Sequence, residues 1–400
     1  MVKHERFTVL SLSLFFLINL HIGTAQAQTI RYVNRTDPTC DGQSPCFTTI
    51  QAAVNAAGPG NIVRIQSGIY TEQVRVSNKN RIASSTEMHR IVIESDPNSP
   101  VGSVIVRGTG GGGGDDDSGC GDDDGPSYGI RLRNSRYITI RDLIITNVAG
   151  PAIWLAPSGD GDDTDGGGKV NNVAIHIELN RIYGNFSSTC NGAVVVSAGN
   201  RETLIVNNLI YANGLNGIAF EGSGSGPHYV INNTVYGNRR NGINVARGQT
   251  VLLANNIVNG NGTASGTTGG RFGVRRESSS TPQPQNIRLL NNLVCGNTQG
   301  QISTQLLDAT DSGNFTPTGS EGAGVGALPG CQLPANLFAN KNGHDKRANT
   351  VDDDFSLKPN SLAIDAGMDP RTLGFNPSFN PIFEADFAVE GIRPADGNAR

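Results

Sequence analysis

The sequence has little of what a large helical protein or a membrane protein is built from. Only 36% of its residues are hydrophobic and 6% are aromatic, whereas glycine accounts for 52 of the 400 residues. Glycine weakens helix interiors and serves tight turns, so this composition excludes a large α-helical core and suits many short strands. After residue 27 no stretch approaches the roughly 20 apolar residues of a spanning helix, so we expect no transmembrane segment.

An excess of positive charge is also missing. The formal net charge is −4, whereas binding to a phosphate backbone depends on clustered Lys and Arg side chains. We therefore expect no nucleic-acid partner. The composition favours one elongated domain, and we expect it to be a monomer.

The N-terminal residues have the pattern of a secretory signal peptide. Lys3 and Arg6 precede an apolar stretch from Phe7 to Ile22, and Ala25-Gln26-Ala27 supplies the small residues of a cleavage site. We therefore expect residues 1–27 to be removed. The mature protein would then be secreted, and be either extracellular, surface-associated or periplasmic.

Six cysteines, all beyond residue 27, form an even set, which in an oxidising compartment favours disulfides over metal thiolates. Cys40 and Cys46 enclose a turn-rich loop, and we predict a disulfide between them. The sequence leaves the pairing of the other cysteines open. Cys295 lies in an apolar, strand-like run, where we expect a buried free thiol that packs as a small hydrophobic side chain.

An internal repeat organises the middle of the chain. Six segments each contain a polar residue, an aliphatic residue two places later and an asparagine five places later. The polar positions form a first ladder, Asp142, Asn180, Asn208, Asn233, Asn256 and Asn292, and the asparagines form a second ladder, Asn147, Asn185, Asn213, Asn238, Asn261 and Asn297. Repeats of about 25 residues made of short strands must stack to bury their inner faces, which predicts a β-solenoid.

The repeat region is flanked by two different patterns. Four apolar residues, Ile50, Ala53, Val54 and Ala57, have the spacing of a short amphipathic helix. We therefore expect residues 28–60 to form an N-terminal cap with a capping helix, and residues 61–303 to form the β-helix. Residues 304–400 are rich in Pro, Gly and Asn, and we expect an irregular C-terminal cap or tail.

The run CFTTIQAAVNAAGPGNIVRIQSGIYTEQV resembles the opening of many bacterial secreted right-handed parallel β-helix repeat proteins, the group that shares the pectin lyase fold. SLAIDAG, near residue 361, is similar to a segment common in the C-terminal parts of such proteins. The resemblance implies an all-β, right-handed parallel β-helix that binds a polysaccharide or cell-surface glycan on the outside of a sheet. Because the group includes lyases, hydrolases, epimerases and proteins without known chemistry, it leaves the reaction open.

The strands that follow the second ladder supply candidate catalytic residues. Alternation of side chains predicts that Arg133, Glu221 and Arg275 point outward in one column of the stack. Eliminative cleavage of a uronate polymer needs a cation for the substrate carboxylate and a base for the C5 proton, and these residue types supply both. The paired aspartates, His-Gly and Arg-x-Lys of polygalacturonase-like hydrolases are missing, so a polysaccharide lyase is favoured over a glycoside hydrolase. The alternative is a non-catalytic, adhesin-like surface solenoid.

Two insertions rich in Asp and Gly are candidate calcium sites. Their candidate ligands are Asp115, Asp117, Asp122, Asp124, Asp160, Asp162, Asp163 and Asp165. Ca²⁺ takes about six to eight oxygen ligands in loose geometry, which dense carboxylates on a flexible backbone can provide. The second insertion departs from the EF-hand pattern, and a disordered, solubilising role is the alternative for both.

Overall fold

The chain winds into three parallel sheets, called A, B and C, and each coil contributes one strand to each sheet. The computed structural model describes residues 28–81, 84–108, 127–157, 171–186, 192–246, 248–264, 270–277, 287–303, 311–321, 325–342, 354–361 and 367–369, with residues 344, 346, 363 and 372. Short strands and frequent turns are what the glycine-rich, weakly hydrophobic composition predicts.

The strands of each sheet follow one another along the axis of the solenoid. Sheet A contains, in spatial order, β2 (Cys46–Phe47), β1 (Ile30–Val33), β3 (Ile62–Ile65), β6 (Ile91–Ser95), β9 (Arg136–Arg141), β12 (Val173–Glu178), β15 (Thr203–Val206), β18 (Ser225–Ile231), β21 (Gln249–Ala254) and β24 (Ile287–Leu290). Sheet B contains β4 (Gly68–Thr71), β7 (Val104–Arg107), β10 (Ile144–Thr146), β13 (Arg181–Tyr183), β16 (Leu209–Tyr211), β19 (Thr234–Tyr236), β22 (Ile257–Asn259), β25 (Leu293–Cys295), β27 (Asn314–Thr316) and β28 (Val325–Ala327). Sheet C contains β5 (Val74–Ser77), β8 (Ile130–Arg133), β11 (Ile153–Leu155), β14 (Gly192–Val196), β17 (Asn216–Phe220), β20 (Ile243–Val245), β23 (Phe272–Arg276) and β26 (Gly300–Ile302).

The core is a set of aliphatic columns inside the coils. In sheet B the inward column consists of Ile145, Ile182, Ile210, Val235, Val258 and Val294, which pair strand by strand and are fully buried. Each such side chain stabilises the fold by about 1.5–3 kcal/mol on burial. Because no coil can bury its inner face alone, the stack is the unit of stability.

The two asparagine ladders are confirmed from Asn180 and Asn185 onward. Each amide oxygen accepts hydrogen bonds from the backbone N–H and the side-chain Nδ2 of the asparagine one coil earlier, as between Asn208 and Asn233 at 3.0 Å. The first ladder continues to Asn314, which the sequence pattern misses.

The expected first members, Asp142 and Asn147, are wrong. The residues in register with Asn180 and Asn185 are Leu143 and Val148, whose backbone N–H groups donate to the two amide oxygens at 3.2 and 3.1 Å. Asp142 and Asn147 instead occupy the preceding corner positions, with φ of 56° and 54°. Asp and Asn tolerate this left-handed conformation, which explains a polar residue one place too early.

The N-terminal capping helix is confirmed as α1 (Ile50–Ala56), whose buried residues Ile50, Ala53 and Val54 belong to the main core. Its first N–H groups are capped from two sides. The Thr49 hydroxyl accepts from the Ala52 N–H, and the Glu72 carboxylate accepts from the N–H groups of Ile50 and Gln51.

The C-terminal region lies on the side of the solenoid. Sheet B continues past residue 303 through β27 and β28, which are followed by helix α2 (Pro334–Leu337) and an antiparallel pair, β29 (Phe338–Asn340) and β30 (Asp354–Leu357). The remaining described element is a short 3₁₀ helix (Glu87–His89) in an early coil. Phe338 and Phe355 pack on the outer face of sheet B around Tyr236. Within the part of the chain that the structure describes, no helix has the length and apolar character needed to cross a membrane.

Two disulfides are present among the described residues. The predicted Cys40–Cys46 bridge is confirmed, with a Cα–Cα distance of 5.7 Å. The expectation of a free thiol at Cys295 is wrong, because this buried cysteine is bonded to Cys331. Its side chain points outward from sheet B, where the C-terminal region crosses the sheet.

Candidate functional site

Sheet C is the face at which both acidic insertions join the coils. Residues 109–126 come directly before the described start of the β8 region, and residues 158–170 follow β11. The two insertions therefore attach at opposite edges of sheet C. The candidate calcium ligands between Asp115 and Asp165 lie outside the described residues, and calcium binding there stays a prediction.

Two outward columns run along sheet C. The first contains Arg75, Arg131, Trp154, Val195, Ala219, Asn244 and Arg275. The second column lies two residues further along each strand. It contains Ser77, Arg133, Ala156, Ser197, Glu221, Ala246 and Glu277. Most of these residues are buried, whereas Arg75 is exposed and Ser77, Arg133, Glu221, Arg275 and Glu277 are half-buried.

The structure does not bring the three predicted catalytic residues together. Arg133 and Glu221 share the second column but are three strands apart, about 14 Å along the stack. Arg275 lies in the first column, two strands beyond Glu221. The expectation of a single column is therefore wrong, and the catalytic roles of these residues stay predictions.

The early coils of this face carry an aromatic and cationic cluster. The guanidinium of Arg131 lies 4.6 Å from the ring centre of Trp154 and 5.8 Å from that of Tyr128. The Trp154 Nε1–H donates to the Ser197 hydroxyl at 3.1 Å, and none of the indole is exposed. Because the tryptophan is fully enclosed, this cluster stabilises the outer face and offers no open surface for a ligand.

The later coils carry two carboxylates, an amide and an arginine on neighbouring strands. Asn244 donates from Nδ2 to Glu277 Oε1 at 2.9 Å, and Arg275 is the strand partner of Asn244. Glu221 is two strands from Glu277 in the same column, with the small side chain of Ala246 between them. We call Glu221, Asn244, Arg275 and Glu277 the sheet C polar cluster.

Glu277 is the member of this cluster that sequence reasoning misses. It directly follows the run Gly273-Val274-Arg275-Arg276, and alternation from Arg275 would have placed it on the outward face. The apolar and polar alternation of β23 therefore extends one residue past Arg276, and that residue carries the signal.

The charges on sheet A are arranged differently. Arg64 and Arg141 both form ion pairs with Glu94, and Arg141 also approaches Glu178 at 3.7 Å. These side chains alternate in sign along one column and neutralise one another. Sheet A therefore carries an ion-pair ladder that stabilises the stack. The carboxylates of this ladder are already paired with arginines.

Comparison with known proteins gives the fold. Residues 128–314 match the family described as "Right handed beta helix region". Pectate lyase Pel9A is 14% identical, with 89% of this chain and 96% of that chain covered and a TM-score of 0.51. The chain has the right-handed parallel β-helix fold. An alginate lyase from Paenibacillus sp. str. FPU-7 is also 14% identical, covering 75% of this chain and 96% of that chain with a TM-score of 0.48.

No curated protein matches the sequence significantly. The resemblance to right-handed parallel β-helix proteins is thus confirmed for the fold, and at these identities the likeness does not extend to the reaction. What this β-helix offers for chemistry is the sheet C polar cluster, in which a carboxylate is oriented by an amide beside a cation. Such a set can hold an anionic group and move a proton.

Proposed function

We propose that this protein is a secreted β-helix enzyme that binds an acidic polysaccharide across the outer face of sheet C and cleaves it by elimination. The observation that carries the proposal is the sheet C polar cluster, with Glu277 held by Asn244 next to Arg275. The two disulfides support an oxidising, extracellular location. The pectate lyase that shares the fold is named for a polyuronate, which supports the same substrate class.

Each charged residue of the cluster has a separate role in the elimination. Arg275 pairs with the uronate carboxylate and stabilises the charge that develops when the neighbouring C5 proton is removed. Glu277, oriented by Asn244, accepts that proton. The C5–H electron pair forms the C4–C5 double bond, the C4–O bond breaks, and Glu221 donates a proton to the leaving oxygen. Arg133, three strands from Glu221, contacts a more distant uronate of the same chain.

Turnover of a polyuronate should depend on the sheet C polar cluster. Incubation with a panel of polyuronates, with ultraviolet absorbance of the unsaturated product as readout, should show release by the natural protein. Glu277→Gln, Glu221→Gln and Arg275→Gln should each lower kcat/KM by about 10²- to 10⁴-fold, the usual contribution of a positioned acid, base or charge partner. Glu202→Gln, a half-buried glutamate next to sheet A, is the matched control and should keep full activity.

Two results would overturn this proposal. Unchanged turnover in the three variants would remove the polar cluster from the reaction. An inactive panel together with no binding on a glycan array would favour the adhesin-like solenoid.

Repeating the assay with a calcium chelator tests the acidic insertions, because bound calcium predicts lower activity or a lower melting temperature after chelation. Size-exclusion chromatography tests the expected monomer.

A further inference from the structure

A second groove lies away from sheet C, along the corner at which sheet B strands turn toward sheet C. Its volume is about 490 Å³. One wall is formed by Arg107, Thr146 and Tyr183, which are paired across three neighbouring strands and point outward from sheet B. The other wall contains Phe186 and Arg239, which lie after the corner.

The groove exists because small residues follow Asn147 along its floor. Gly184, Ala212 and Gly237 occupy equivalent corner positions with φ of 62°, 54° and 60°. This left-handed conformation favours glycine and disfavours large side chains. A Cβ atom at Gly237 would meet no other atom within 4 Å, so the space above the floor is open. The corner geometry therefore leaves a channel parallel to the solenoid axis.

The aromatic side chains present flat apolar surfaces to this channel. Tyr183 stacks on Tyr211, with ring centres 5.0 Å apart and planes at 19°, which fixes the ring at the wall of the groove. Phe186 is 58% exposed, so its ring is accessible at the groove. Rigid aromatic rings beside a few polar groups are typical of ligand sites, and such rings suit the apolar faces of sugar rings.

Both charged side chains among the described residues of the groove are arginines. Arg107 makes no hydrogen bond or ion pair with any described residue, although its Nε is buried. A buried guanidinium N–H without an acceptor is costly, and an anionic ligand would remove that cost. Arg239 is exposed on the opposite wall, and none of the described residues that line the groove is Asp or Glu. The groove is thus complementary to an anion.

We propose that this groove binds an anionic oligosaccharide. Tyr183 and Phe186 contact the sugar rings, and Arg107 and Arg239 pair with carboxylate or sulfate groups on either side of the channel. The groove needs only affinity and no reaction, so this inference does not depend on catalysis at sheet C. It would give the molecule a second contact with a charged polymer, on a different face of the same coils.

Isothermal titration with oligogalacturonate, a sulfated oligosaccharide and a neutral oligogalactose of equal length tests this inference. The titrations use the Glu277→Gln/Arg275→Gln/Arg133→Gln protein, in which sheet C can neither turn over the probe nor pair with its carboxylates. We expect the anionic probes to bind and Arg107→Gln/Arg239→Gln to weaken that binding at least tenfold. Gly237→Asn should have the same effect, because asparagine tolerates the left-handed conformation and fills the floor.

Arg288→Gln is the matched control, since Arg288 is an exposed arginine on sheet A. It should leave affinity unchanged, and all variants should keep the melting temperature of the parent. Equal affinity for the neutral probe, or affinity that survives both Arg107→Gln/Arg239→Gln and Gly237→Asn, would overturn the inference. Turnover of short polyuronates by Arg107→Gln/Arg239→Gln with the natural Glu277 should be unchanged, which separates this groove from the proposed reaction.

Discussion

His228 lies inside the solenoid, paired with Thr203 and Val251 on the neighbouring strands, and none of its surface is exposed. Its ring packs 5.1 Å from that of Phe220. Neither ring nitrogen makes a hydrogen bond with a described residue, and nearby Gln249 donates instead to the carbonyls of Glu221 and Gly222. Burial lowers the pKa of His228 to about 3, so the imidazole is neutral in the folded protein.

The pH dependence of stability follows from that shift. In the unfolded chain the pKa is near 6.5, so the unfolded state binds a proton first as the pH falls. The contribution of His228 is therefore complete above about pH 6.5 and is lost progressively as the pH falls toward 3. His176 acts in the same direction, because burial and the adjacent Arg90 hold its pKa well below the ordinary value.

His228→Leu should stabilise the protein. The substitution removes a buried polar ring without hydrogen bonds and keeps an apolar side chain among aliphatic neighbours, for a gain of about 1–3 kcal/mol at pH 7. Urea unfolding at pH 7 and pH 4 should show a larger gain at pH 4. His344→Leu, at an exposed histidine, should change stability by less than about 0.5 kcal/mol. A less stable His228→Leu protein at pH 7 would show that the imidazole has a partner.

At the scale of elements, the asparagine ladders join successive coils. Asn233 accepts from the backbone and side chain of Asn208, and its own Nδ2 donates to Asn256 and to the carbonyls of Ile205 and Ile231. The side chain is therefore saturated with hydrogen bonds although it is buried. Such a network stabilises the stack only while each member is present.

Asn233→Ala should cost about 3 kcal/mol or more, because several buried donors and acceptors lose their partners at once. The neighbouring Asn232 is a matched control. It adopts a φ of 55° at the corner and is only half-buried, so Asn232→Gly should cost little. Guanidinium unfolding of both variants measures the difference. Similar losses at the two positions would mean that the corner conformation, and not the ladder, holds the coils together.

The ladders could be predicted from the sequence because each buried amide needs an asparagine at the same position in the next coil as its hydrogen-bond partner. The asparagines therefore recur at a regular spacing. The outward face of sheet C could not be predicted in the same way. β11 and β14 are apolar at nearly every position, so alternation of polar and apolar residues does not show which side chains point outward. Ile153 and Leu155 of β11 are inward core residues, and Trp154 between them points outward. Arg275 falls in the column of Arg133 and Glu221 only if Gly273 is the first outward residue of β23, whereas the pairing of Asn244 with Arg275 makes Arg275 the first outward residue and Glu277 the second.

The C-terminal region covers the outer face of sheet B in the later coils. Phe338 and Phe355 contact each other at 5.3 Å and pack with Tyr211 and Tyr236, which would otherwise be exposed on the outer face of the sheet. Sequence composition predicts irregular structure here but not its location, since Pro and Gly carry no information about the face that a segment covers.

The Cys295–Cys331 disulfide fastens this cover to the solenoid, and its removal should therefore be more costly than removal of Cys40–Cys46. The sequence separations are 36 and 6 residues, and loop-closure entropy predicts losses of about 4 and about 2 kcal/mol. Cys295→Ala/Cys331→Ala and Cys40→Ala/Cys46→Ala can be compared by urea unfolding. Hydrogen exchange should rise in β29 and β30 only in the first variant, because only that bridge holds the aromatic cover on sheet B. Unchanged exchange there would show that the packing of Phe338 and Phe355 is sufficient without the disulfide.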